Sequence, residues 1–185
     1  MTRAQRWGWG IAALVAAIAL LLLSREAGAI DSDFMPKGGR ALLVQLLGAP
    51  ADEAELRAVA GTRRSEAEWS EYLSSRKALG ERERATLAAY LAGNMPLPEA
   101  AAKGPGLAAA LPPDGRDLAW NECQSCHSLF TSYLTQSRDA QGWRNLFLSP
   151  FHRQMLTVPQ REEFARYAAL NMPIKAEDVP ADLRY

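Results

Sequence analysis

Cysteine and histidine are the scarce residues of this chain, with two of each among 185. Two cysteines exclude a scaffold stapled by several disulfides. Two histidines leave no multi-histidine constellation for acid–base chemistry. Charge of either sign is also missing in excess: 21 Lys and Arg balance 21 Asp and Glu. No basic cluster marks a nucleic-acid footprint, and electrostatic steering by the whole molecule is weak. The length is room for one domain or two small ones, and an apolar content of 48% suits a folded chain.

The N-terminus departs from this balance. Arg3 and Arg6 precede residues 7–24, WGWGIAALVAAIALLLLS, which carry no charge. A signal peptide has an apolar core of about 7–15 residues and a spanning helix needs about 17–25, so the segment stands at the boundary. Ala27-Gly28-Ala29 has the small-x-small form of a cleavage site. The leucines at 20–23, Trp7 and Trp9 at the basic edge, and the following Arg25 and Glu26 fit an anchor. Residues 1–29 are therefore expected to be a transmembrane anchor, with a cleaved signal peptide as the alternative. The positive-inside rule sends the remainder across the membrane. In a bacterium this gives a single-pass inner-membrane protein with periplasmic domains, or a soluble periplasmic one after cleavage, in an oxidising compartment.

Both cysteines and one histidine fall within nine residues, W-N-E-C-Q-S-C-H-S at 120–128. A structural disulfide between Cys123 and Cys126 closes too short a loop to stabilise a fold much. A zinc site could gather Cys123, Cys126, His127 and His152, but adjacent Cys and His is not the usual ligand spacing. A thioredoxin-like redox motif needs an α/β context, whereas the periodicity here is helical nearly throughout. Covalent haem attachment uses every residue of C-x-x-C-H: two thiols one turn apart form thioethers to the vinyl groups, and His127 turns its imidazole under the iron. Residues 114–118, D-G-R-D-L, begin a helix leading into the motif.

Residues 113–173 resemble a small class I cytochrome c domain. The resemblance runs through D-G-R-D-L-A-W-N-E-C-Q-S-C-H-S, A-Q-G-W-R-N-L-F, a methionine, and R-E-E-F-A-R-Y-A-A-L-N-M-P. It implies an all-α fold around one covalent haem c, with His127 as proximal ligand and usually a methionine opposite. Trp143, Leu146 and Phe147 fall at i, i+3, i+4, as do Phe164, Tyr167 and Ala168, giving each predicted helix one apolar face. Thr157 to Gln160 reads as a capping box, with Pro159 in the opening turn.

The preceding residues repeat this pattern without the motif. Gly39-Arg40-Ala41-Leu42 matches Gly115-Arg116-Asp117-Leu118. Trp69, Tyr72 and Leu73, introduced by the capping box Ser65 to Glu68, match Trp143, Leu146 and Phe147. Leu87, Tyr90 and Leu91 match Phe164, Tyr167 and Ala168, and both halves end on Asn-Met-Pro, at 94–96 and 171–173. Such order suggests duplication. Residues 34–98 are expected to form a haem-free cytochrome c-like domain, 99–112 a Pro/Gly/Ala linker, and 113–185 the cytochrome c domain with a C-terminal tail. Carried without gaps from Gly39, Leu47, Pro50 and Ala51 stand where Cys123, Cys126 and His127 do.

Candidate distal ligands are Met155, His152 and Met172. Met172 has a counterpart, Met95, in the half without the motif, whereas Met155 and His152 fall opposite Ala78 and Ser75. Family position favours Met155, with His152 the alternative; a thioether ligand raises the reduction potential. A six-coordinate haem makes the protein an electron-transfer protein, not an enzyme, serving as a subunit or dedicated partner of a respiratory or photosynthetic complex. The alternatives are a sensor of NO, CO or peroxide, or a peroxidase-like protein, with an open site, and a structural or assembly subunit. From residue 105 onward eight Lys and Arg face nine Asp and Glu, which points to a fixed redox partner at the membrane instead of a charge-steered shuttle.

Overall fold

The computed structural model describes residues 32–124 and 128–184. The membrane segment expected at 1–29 and the motif residues Cys126 and His127 lie outside the described residues. The described residues are helical, with no strand among them, and the all-α expectation holds there. None of their helices is long and apolar enough to cross a membrane.

Among the described residues ten α-helices follow one another: α1 (Gly39–Leu47), α2 (Glu53–Ala60), α3 (Glu66–Leu73), α4 (Glu81–Asn94), α5 (Glu99–Lys103), α6 (Leu107–Ala110), α7 (Gly115–Leu118), α8 (Ala140–Arg144), α9 (Pro150–Met155) and α10 (Val158–Asn171). Their starts obey local chemistry. The Ser65 hydroxyl accepts from the Glu68 amide at 3.3 Å and Glu68 accepts from the Ser65 amide at 2.7 Å, closing the expected capping box of α3. At α10 the Thr157 amide donates to Gln160 Oε1 at 2.9 Å, and Pro159 sits in the first turn. The predicted apolar faces are the buried ones: Trp69 and Leu73 on α3, Leu87, Tyr90 and Leu91 on α4, Trp143 on α8, and Phe164, Tyr167 and Ala168 on α10.

Two apolar cores result. The first gathers α1 to α4 around Trp69 and Tyr90, the second gathers α7 to α10 around Trp143 and Tyr167. Each uses the same close packing. A Cβ on Gly39 would lie 2.1 Å from Tyr90 Cβ, and one on Gly115 would lie 2.1 Å from Tyr167 Cβ, so only glycine lets the first helix of each half meet the last. The Leu97 amide donates to the Ala60 carbonyl at 2.8 Å, and its counterpart Ile174 donates to Leu134 at 2.9 Å. Met95-Pro96 and Met172-Pro173 are both cis.

The cores do not follow the division drawn from sequence. Residues 99–112, expected as a linker, form α5 and α6 and bury Ala102, Leu107 and Leu111 in the first core. Met35, just before α1, is buried in the second core, where the Phe34 ring meets Phe130 at 5.1 Å and Trp120 at 6.3 Å. Tyrosine hydroxyls mark the same exchange. Tyr90 donates to the Pro112 carbonyl at 2.8 Å and Tyr167 to the Pro36 carbonyl at 2.6 Å. The segment leading into each half thus packs on the other half.

Helices α4 and α10 pack directly on each other. Asn94 donates to Glu163 Oε2 at 3.0 Å, and the matching Asn171 donates to Thr86 Oγ1 at 2.9 Å, so the contact repeats about a pseudo-twofold axis. At one end of this seam Asp114, 1% exposed, accepts from the Asp117 amide of α7 at 3.0 Å. Its other carboxylate oxygen accepts from the Arg40 and Ala41 amides of α1 at 2.9 and 3.3 Å. One side chain therefore caps two helices. The corresponding residue, Gly38, has no side chain to offer, and a Cβ there would collide with Asp114.

Candidate functional site

The backbone brings Cys123 into position through α7, whose capping box pairs Asp114 with Asp117. The helix widens into a π-helical turn over Ala119–Cys123, a local distortion frequent at functional sites. This buries Leu118 and Ala119 in the second core and leaves Cys123 half-buried at its edge.

Cys123 lines a cavity of about 200 Å³ walled by Leu129, Tyr133, Phe147 and Phe164, and His152 and Met155 line it too. Both candidate distal ligands and the first cysteine of the motif thus face one apolar space. Met172 does not line it: it is buried at the end of α10 among the core residues, as its counterpart Met95 is at the end of α4. The aromatic wall residues carried only a helical-face signal in the sequence. Phe147 and Phe164, at 5.9 Å between ring centroids, pack edge to face there.

The distal residues sit on α9, which has no helical counterpart. Ten positions separate Trp69 from Leu79, but thirteen separate Trp143 from Leu156. The three extra residues, with Pro150 in the opening turn, make the room for this helix. His152 Nδ1 lies 3.1 Å from the Leu146 carbonyl. A carbonyl only accepts, so Nδ1 carries the proton in this contact and Nε2 is the ring nitrogen with the lone pair. Metal-bound histidines commonly use their second nitrogen in this way.

In the first half the position matching Cys123 belongs to the core. Leu47 is 2% exposed and shares the first core with Leu107 of α6, and both border a surface pocket of about 240 Å³ with Pro50 and Ala108. Where Leu129 and Leu146 wall the cavity, the first half has Glu55 and Tyr72. The Tyr72 hydroxyl and Arg76 both donate to Glu55. Burial and the Glu55 carboxylate raise the Tyr72 phenol. The Arg64 guanidinium stands 4.8 Å from the Trp69 ring centroid and 4.9 Å from that of Tyr72.

These residues fit an apolar, metal-bearing ring held by its edge. The cavity wall is apolar, a thiol stands at its rim, and a thioether and an imidazole are the soft and borderline ligands within it. The buried indole nitrogens of Trp69 and Trp143 both lack a hydrogen-bond partner, so that feature does not distinguish the halves. No group of three or more His, Cys, Asp or Glu suited to a bare metal ion occurs among the described residues. Compared with known proteins, the chain matches no family model, and no curated protein or solved structure has significant similarity to it.

Proposed function

We propose that this chain carries one covalent haem c and passes single electrons to or from a membrane-bound redox complex. The observation that carries the reading is a meeting of residues: C-x-x-C-H begins at the rim of an open apolar cavity that His152 and Met155 also line, whereas the matching position of the first half is the buried Leu47. Cys123 and Cys126 would hold the haem by thioethers and His127 would supply the proximal ligand. Bound haem supplies a reversible one-electron couple.

The chain's own residues bind it and set its surroundings. Leu129, Phe147 and Phe164 exclude water from the cavity, which favours the form with less net charge. Met155 is the proposed distal ligand. His152 stays as the second reading, because its contact with Leu146 orients the ring and fixes the tautomer that ligation needs. Among the described residues no carboxylate lines the cavity beside His152, which favours electron transfer over peroxidase-like chemistry. The apolar residues 7–24 support attachment to the membrane, with the rest exported.

Optical and EPR spectra of the oxidised protein, alongside Met155→Ala and His152→Ala, test the assignment. Loss of the thioether-to-iron charge-transfer band in Met155→Ala alone is expected. Loss of a bis-imidazole signature in His152→Ala alone transfers the role to His152, and spectra unchanged in both variants overturn either assignment. Rapid, complete carbon monoxide binding to the reduced protein would replace the carrier by a ligand-binding protein.

A further inference from the structure

Large apolar side chains are seldom left in water unless something covers them. Of the four exposed ones among the described residues, three lie together in sequence and structure: Leu148 is 66% exposed, Phe151 87% and Val158 65%. They straddle α9, between the 3₁₀ turn Asn145–Leu148 and the first residue of α10. Leu148 and Val158 flank a groove that also takes Arg144, Arg153, Arg161 and Glu162. Phe151 belongs to the wall of the neighbouring cavity.

The charges in this groove do not cancel. Arg144 pairs with Glu162 at 2.8 Å. Arg161 donates to the carbonyls of Leu156 and Arg153, and Arg153 to that of Leu148, so both guanidiniums are held by backbone and not by carboxylates. Two positive charges thus flank an exposed apolar strip on a chain whose net charge is zero. Arg161, held by two carbonyls, keeps its remaining terminal N–H groups for a carboxylate, and the exposed Arg153, held at 3.3 Å by one, has most of its donors open to a partner.

We propose that this groove is the docking face for the membrane-bound redox partner, and that the partner is a protein surface presenting an apolar side chain flanked by carboxylates. Leu148 and Val158 receive the apolar group, and Arg153 and Arg161 take the carboxylates. The concave form favours an inserted side chain over a lipid bilayer, since three apolar residues give too little buried area to hold a membrane. The face adjoins the cavity through Phe147, which lines both, so a partner seated on it comes close to whatever the cavity holds. The partner's redox identity rests on the haem reading above; the groove's apolar and charged character does not.

The test uses the full-length holoprotein and washed membranes of the organism that makes it, with oxidation and reduction followed at the haem α band and fitted to KM and kcat. The double variant Leu148→Ser/Val158→Ser is expected to raise KM at least tenfold with kcat within twofold. Arg153→Glu/Arg161→Glu is expected to lower kcat/KM at least tenfold, through lost local pairing with the partner's carboxylates. Arg63→Glu/Arg82→Glu, two exposed positions of the first half, controls for net charge and leaves KM unchanged. A KM within twofold of the parent in the Leu148/Val158 variant overturns the proposal, as does absence of exchange with membranes by a protein that shows the α band. Binding to phosphatidylglycerol vesicles that the same substitutions abolish would make the groove a lipid face. A protein without an α band would instead sink the haem reading, and the redox identity of the partner with it.

Discussion

At Asp114 a single buried carboxylate answers the amides of two helix starts, and its neighbourhood concentrates the titratable groups of the seam between the halves. Burial pushes its carboxyl above the usual range, and the nearby Asp117 adds to that, while the amides of Asp117, Ala41 and Arg40 pull it back. Burial also raises both tyrosine phenols that line the seam. Glu163, 6% exposed, is pushed up to about 7, by burial first and further by the charge of Asp114, against the opposing hydrogen bond from Asn94 and the charge of Arg166. Between the ordinary carboxyl value of 4.5 and about 7 the folded protein keeps a proton that the unfolded chain has released. The stability this provides is complete below that window and lost as the pH rises through it. Glu163→Gln retains an acceptor for Asn94, so it is expected to stabilise the protein by about 2–3 kcal/mol at pH 8 relative to the parent. Urea melts at pH 5 and pH 8 measure this: the parent weakens with rising pH more than the variant does. The sequence D-G-R-D-L announced the start of α7. The service of Asp114 to α1 was illegible, because the other partner is a backbone 74 residues away, beside a glycine that offers no signal.

The elements were the most legible level. Apolar residues at i, i+3 and i+4 located the buried faces of α3, α4, α8 and α10, and two capping boxes stood where Ser-x-x-Glu and Thr-x-x-Gln placed them. A third start was missed: Gly80 has no side chain, yet its amide donates to Glu83 at 2.8 Å. Helices α5 and α6 were missed as well, since an Ala, Gly and Pro mixture reads as a connector when helix and linker share a composition. The repeat was legible down to its glycines, and these give the sharpest prediction at this scale. Gly115→Ala drives a methyl into Tyr167, and Gly39→Ala does the same to Tyr90. Each is expected to cost about 2 kcal/mol or more in chemical denaturation, because the obstacle is a Cβ fixed to a packed helix, not the end of a flexible side chain. Haem content on expression should fall in Gly115→Ala, whose helix leads straight to Cys123. The candidate site was half legible: the motif named the thiols, but the burial of Leu47 in a core with Leu107, and the contacts of Tyr72 and Arg76 with Glu55, depended on segments far apart in sequence.

For the molecule as a whole, the exchanged leading segments matter more than the repeat. Tyr167 and Pro36, joined by a hydrogen bond, are 131 residues apart. Met35 lies in the core of the second half, and Leu107 and Leu111 lie in that of the first. Two independent domains would melt in two steps, one of them insensitive to the cofactor. Here loss of either core uncovers apolar residues of the other, so calorimetry of the holoprotein is expected to show one transition whose calorimetric and van't Hoff enthalpies agree. Two resolved transitions would mean that the seam contributes little.

The same exchange sets an order on synthesis. A chain emerging N-terminus first has made Met35 long before the core that receives it, and it completes the first core only when residue 111 is out. Until then α1 to α4 lack their covering helix, and residues 34–36 have nowhere to pack. The C-x-x-C-H motif therefore follows directly on the segment that closes the first core. The thiols are delivered next to a half that has just finished folding, on a half that has not.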